Sequence, residues 1–178
     1  MKIYKIQHLH SIYKFYLQDE RDSLAIKAFS NDGSTLLDDW KPFHISLFEG
    51  KTKKEKSLSE DFNSSCYDDG LLYVSDSISF EVFKGLGEAE ILPVLTSDGR
   101  DFKYINVINK IPSLKFNSKE ELKEMFRSGK YFFDDKSVNG QLIFRDEVLT
   151  STYFVTDAFV SKYGDKFKGI SFEEVGEV

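Results

Sequence analysis

Few side chains in this sequence could do chemistry. The imidazoles are His8, His10 and His44, and Cys66 is the single thiol. His8 and His10 stand two apart, so on a strand both rings project from one face, an arrangement that a metal ion can use. Zinc needs a third and usually a fourth ligand. His44 and Cys66 are the residues left to supply them, at no spacing that belongs to a zinc motif. A cysteine nucleophile needs a base partner and a lowered pKa, and the polar stretch Asn63-Ser64-Ser65-Cys66-Tyr67 supplies neither in sequence. A small metal- or cysteine-dependent enzyme using His8, His10 or Cys66 is therefore an alternative reading and not the leading one. Two solvent-facing strand histidines are the plainer account.

Carboxylates occur in adjacent pairs at Asp38-Asp39, Asp68-Asp69 and Asp134-Asp135. Acid–base or divalent-cation chemistry needs carboxylates that converge in space. Neighbours on an extended chain point to opposite faces instead. Asp68-Asp69-Gly70 and Asp134-Asp135 also fall where turns are expected. Solvated turns explain these six residues, and contact with a basic protein partner is their functional alternative. There is no Gly-rich phosphate loop, no G-x-S-x-G and no paired CxxC, so no catalytic residue and no cofactor is assigned. Trp40, the one tryptophan, reads as a core or hairpin-end anchor.

The elements that position these residues are marked by a phrase that occurs twice. Tyr73-Val74-Ser75-Asp76 and Phe154-Val155-Thr156-Asp157 both run aromatic, Val, hydroxyl, Asp. The first two residues suit a strand. The last two suit a helix start, where side-chain oxygens accept from unpaired backbone N–H groups. The spacing predicts a helix over about 76–84 carrying Ile78, Val82 and Phe83, and another after Asp157 carrying Ala158, Phe159 and Tyr163. Strands follow each at Ile91–Val94 and Ile170–Val175, giving two similar strand–helix–strand units. Ser118-Lys119-Glu120-Glu121 fits a capping box that opens a third helix, burying Leu122, Met125 and Phe126 and stopping at Gly129.

Three hairpins are expected. One has arms Leu24–Phe29 and Thr35–Trp40 around Asn31-Asp32-Gly33-Ser34. A second joins Glu90–Thr96 to Asp101–Ile108 through Ser97-Asp98-Gly99-Arg100, and a third joins Tyr131–Phe133 to Gln141–Phe144. Ile12–Leu17 has strand composition, and Phe43–Phe48 alternates as a half-buried strand with Phe43, Ile45 and Leu47 inward. Met1–Ile6 alternates too loosely to be placed. The lysine-rich stretch from Gly50 to Ser65 reads as a surface loop or short helix. The expected fold is a single α+β domain over 1–178. It has mixed, mostly antiparallel sheets and about three to four short helices.

Composition limits the function. The 178 residues are 40% hydrophobic and 30% charged, with 17 Phe and 9 Tyr, as for a globular domain with an aromatic β-rich core. The net charge is −6, and residues 1–90 hold 11 Lys+Arg against 16 Asp+Glu, a net of −5. Phosphate-backbone binding relies on Lys and Arg, so no nucleic-acid partner is expected, and a basic protein suits the acidic N-terminal half better. The start, MKIYKIQHLHSIYKF, has charges where a signal peptide needs an apolar run. No stretch approaches the ~18 apolar residues of a membrane span. A cytoplasmic location with no membrane partner is the expectation.

Several phrases in order resemble one family. They are Leu92-Pro93-Val94, Tyr104-Ile105-Asn106-Val107-Ile108-Asn109, Ile143-Phe144-Arg145, Phe154-Val155-Thr156-Asp157-Ala158-Phe159, and Gly169-Ile170-Ser171-Phe172-Glu173-Glu174-Val175. Their progression resembles the eleventh immunity-protein family of bacterial polymorphic toxin systems, and Val74-Ser75-Asp76 resembles an earlier step of it. The likeness covers residues 71–175 and is weak over 1–70. Pro112 and Lys115 stand where that family often has acidic residues. The resemblance implies a cytoplasmic, non-catalytic protein that protects its producer by binding a cognate toxin domain. A third reading is a self-assembling interaction module, a homodimer among its forms, because aromatic-rich strand edges can pair between chains.

Overall fold

Two runs of β-branched and aromatic residues form the backbone of the fold, and both lie next to a hydroxyl-Asp helix start. The computed structural model describes residues 1–18, 32–67 and 70–178. Its strands are β1 Lys2–His8, β2 Tyr16–Gln18, β3 His44–Leu47, β4 Ser64–Cys66, β5 Leu72–Ser75, β6 Ala89–Pro93, β7 Leu95–Thr96, β8 Phe102–Val107, β9 Lys110–Ile111, β10 Tyr131–Phe132, β11 Ile143–Asp146, β12 Phe154–Thr156 and β13 Ile170–Glu177. Its α-helices are α1 Lys53–Lys56, α2 Asp76–Ile78, α3 Lys119–Ser128, α4 Asp135–Val138 and α5 Asp157–Tyr163. A π-helical turn over Ser79–Phe83 continues α2.

The fold is α+β with mixed, mostly antiparallel sheets. A six-stranded sheet runs β10-β13-β1-β12-β11-β9, a four-stranded sheet runs β4-β5-β8-β6, and a small sheet runs β2-β3-β7. The two strand–helix–strand units share one topology. In the first, β5 and β6 are both antiparallel to β8, which lies between them. In the second, β12 and β13 are both antiparallel to β1, which lies between them. Each unit is thus a pair of parallel strands, joined by a helix and split by one antiparallel strand. The helices bury matching faces, Ile78, Val82 and Phe83 from the first and Phe159 and Tyr163 from the second, in one shared core with Ile6, Ile105, Ile143 and Val155. Ala158 is exposed.

Several expectations need correcting. Met1–Ile6 belongs to β1, in the middle of the six-stranded sheet. The bulge opposite Ile3 and Tyr4 lies in β13, at Val175, and β1 itself alternates with both faces covered: Ile3 enters one core with Phe154 and Val175, while Tyr4 and Ile6 face the other. Ile12–Leu17 is strand only at its end, in β2. Thr35–Trp40 is not a hairpin arm. Leu37–Asp39 is a 3₁₀ turn, and Trp40 donates Nε1–H to the Pro93 carbonyl at 2.8 Å while stacking on Tyr104. The opposite arm, Leu24–Phe29, lies outside the described residues. The 131–144 hairpin does not form either, since β10 pairs with β13 and β11 with β12 and β9. On α3 only Met125 is buried, Leu122 is half-buried, and Phe126 is 42% exposed.

The hairpin through Ser97–Arg100 does form, with β6 antiparallel to β8, although the chain leaves β6 after Pro93 to pair β7 with β3. Phe43, Ile45 and Leu47 face inward as expected. Residues 50–57 hold α1, closed by a full capping box of Thr52 and Glu55.

Candidate functional site

The fold gathers His8, His10 and Cys66 around one small cavity. His8 ends β1, Cys66 ends β4, and the turn after β1 brings His10 beside them. The cavity has a volume of about 260 Å³, and Lys5, Gln7 and Tyr67 complete its wall. The His8 and His10 rings meet edge to face at 4.8 Å, and both pack against Phe15, which is itself stacked between Phe48 and Tyr67.

The two imidazoles differ in availability. His8 is buried and both of its ring nitrogens have backbone partners. Nδ1 accepts from the Cys66 N–H at 3.4 Å, so Nε2 carries the proton and donates to the Tyr13 carbonyl at 3.1 Å. Burial lowers the pKa of His8 to about 4, against the opposing pull of the Tyr13 carbonyl, and the ring is neutral at pH 7. His8 therefore acts as a pin between β1, β4 and the turn at Tyr13. Acting as a base or a metal ligand would break one of these bonds. The Cys66 thiol is buried. His44 lies on the exposed side of β3, apart from the cavity. No cluster of three or more His, Cys, Asp or Glu able to hold a metal occurs among the described residues.

The paired carboxylates separate by role. Asp38 and Asp39 form the exposed 3₁₀ turn before Trp40. Asp134 is the N-cap of α4, accepting from the Ser137 N–H at 3.0 Å and the Ser137 hydroxyl at 2.9 Å. These bonds hold its pKa below the usual carboxylate value. Asp135 is exposed in the first turn of α4. Asp68 and Asp69 lie outside the described residues.

The helix-start residues behave unequally. Ser75 caps α2 by accepting from the Ile78 N–H, and Ser118 caps α3 by accepting from the Glu121 N–H. The Glu121 carboxylate turns back to the Asn117 N–H instead of the Ser118 N–H. Thr156 sits at the start of α5 but caps nothing, because its hydroxyl donates to the Gln141 carbonyl at 3.0 Å. Each joint aspartate reaches the strand that splits its unit. Asp157 accepts from the Lys2 N–H at 3.2 Å, and Asp76 pairs with Lys103 Nζ at 3.4 Å.

Two features escaped the sequence reading. The first is a buried charged step at Arg145-Asp146, each residue 1% exposed. Arg145 donates to the carbonyls of Val107 and Thr150, to Asn106 Oδ1 and to the Tyr153 hydroxyl. Asp146 accepts from the N–H groups of Ser113, Leu114, Val148 and Leu149 and from the Ser113 hydroxyl. The arginine thus ties β11 to β8, and the carboxylate fixes two loops beside it. These are structural roles, and the Ile-Phe-Arg phrase owes its arginine to them.

The second feature is a groove of about 600 Å³ between α3 and β10. Met125 and Phe132 form its apolar lining, with Lys115, Lys130, Glu121 and Glu124 around it. Phe132 is 68% exposed, the most exposed of the large apolar side chains among the described residues. No helix of the described residues is long and apolar enough to cross a membrane. No protein-family model matches the chain, and no curated protein is significantly similar to it.

Proposed function

We propose that the protein is a cytoplasmic immunity protein that binds a cognate bacterial toxin domain and neutralises it without catalysis of its own. One observation carries the reading. The family-like phrases occur in the family's order, and they occupy β6, β8, β11, β12 with α5, and β13, the strands around which the fold is built. The proposal rests on that order, not on an overall match to a family. The net charge of −6 adds support, since it steers a basic toxin surface toward the chain. Co-expression with the toxin domain encoded beside this gene is the test. Growth rescue together with a purified one-to-one complex is the expected result. Toxicity that persists, with no complex, removes the reading.

A small enzyme is the second reading, because His8, His10 and Cys66 line one cavity, and using His8 there would break one of its two backbone bonds. Metal analysis and thiol alkylation address it. Stoichiometric metal lost in the His8→Ala, His10→Ala double variant would select this reading over the first.

A further inference from the structure

The groove between α3 and β10 is the feature that the buried network and the cavity at His8 leave unexplained. We propose that it docks an acidic segment of the protein partner, one that carries a single large apolar anchor side chain. The inference rests on the binding reading above and names its face.

Three observations support it. First, Phe132 is held outward on a rigid backbone. β10 is parallel to β13 on one side, and on the other the Phe132 carbonyl accepts from the Lys115 N–H at 2.8 Å. Strand alternation then turns Phe133 into the core and Phe132 into the groove. An exposed aromatic on fixed backbone loses little entropy when covered, as interface anchors do.

Second, the groove's charges are already sorted. Glu121 is engaged by the Asn117 N–H and side-chain amide, and Glu124 is paired with Arg127 at 2.8 Å. Lys115 and Lys130 have no carboxylate within ion-pair distance among the described residues. Asp134, which feels the Lys115 charge, is committed to capping α4.

Third, residues 115–130 hold five Lys or Arg against three Glu, a net of +2, which leaves −8 for the rest of the chain. That stretch is locally positive in an acidic chain, and of its cations Lys115 and Lys130 line the groove. A partner that is basic overall and acidic at one anchored segment complements both regions.

The test uses the full chain, isotope-labelled, and short synthetic peptides read by amide chemical shifts. One peptide has a single Phe among Asp and Glu residues. Its two controls replace the acids by Lys or the Phe by Ser. Saturable shifts at Lys115, Met125, Lys130 and Phe132 are expected with the first peptide. Binding should be at least about tenfold weaker for each control, and for the Phe132→Ser variant of the protein. No shifts, shifts elsewhere, or equal binding of the Lys peptide would overturn the groove assignment. Failed growth rescue with intact peptide binding would remove the toxin reading and keep the groove. Rescue without peptide shifts would do the reverse.

Discussion

The backbone N–H of Cys66 points at Nδ1 of His8 from 3.4 Å, across the junction between β4 and the end of β1. That bond exists only while the ring is neutral. Unfolded, the imidazole takes its proton near pH 6.5, and folded only near pH 4. Between these values the unfolded chain holds the extra proton, so stability falls as pH drops through 6.5 and levels off below about 4. The loss is at most about 3 kcal/mol, less where water reaches the ring. Denaturant midpoints at neutral pH and near about pH 5 check this. His8→Gln should flatten the slope, and an unchanged slope would place its source elsewhere.

Tyr73 and Tyr104 stand opposite each other in β5 and β8, with different fates for their hydroxyls. Tyr73 is fully buried and its hydroxyl has no hydrogen-bond partner among the described residues. Tyr73→Phe should leave stability unchanged or raise it by up to about 1 kcal/mol. Tyr153→Phe is the contrast. It removes the bond donated to the Ile105 carbonyl at 2.8 Å and the one accepted from Arg145 at 2.9 Å. A loss of about 1–3 kcal/mol is expected from denaturation curves of the two variants.

Removing the buried carboxylate is the severe case. Asp146→Ala removes the shared acceptor of four backbone N–H groups and one hydroxyl, and the buried Leu114 N–H and Ser113 hydroxyl lose it where water does not reach. The expected cost is about 3–5 kcal/mol, enough to bring a marginal domain near unfolding. A melting temperature within a few degrees of wild type would show that the two loops find other partners.

Gly169 tests a close approach of chains. A Cβ there would lie 2.0 Å from the Ser64 carbonyl oxygen, and φ is +126°. Gly169→Ala must move either Ser64 in β4 or the start of β13. A cost of about 2–4 kcal/mol follows, measured as a shift in denaturant midpoint without a change in slope.

Legibility in the sequence followed locality. The Ser97–Arg100 turn, the strand containing Phe43, Ile45 and Leu47, and both aromatic-Val-hydroxyl-Asp joints carry their signals within a few residues, and all formed. β1 was hidden because both of its faces are covered, Ile3 in one core and Tyr4 and Ile6 in another, so apolar residues do not mark one side. Asp134 looked like a turn residue because a cap and a turn favour the same side chain; α4, the helix it starts, replaced the expected hairpin. The meeting of His8 with Cys66 spans 58 positions, and no spacing rule encodes a contact between strands of different sheets. Nor does composition say which of Phe132 and Phe133 faces outward. Pairing of β10 with β13, distant in the chain, decides that.

The placement of β1 between β12 and β13 has a consequence for synthesis. β1 precedes every other strand described, and its neighbours on both sides, β12 and β13, follow them all. Ile3 faces Thr156 and Gly176, so its backbone waits through about 150 residues of translation before either ladder can close. Until then the nascent chain carries β1 without either of its ladder partners. The split unit of β5, α2, β6 and β8 can close on its own well before that point. Assembly should therefore run from the middle of the chain outward, with the two ends joining last.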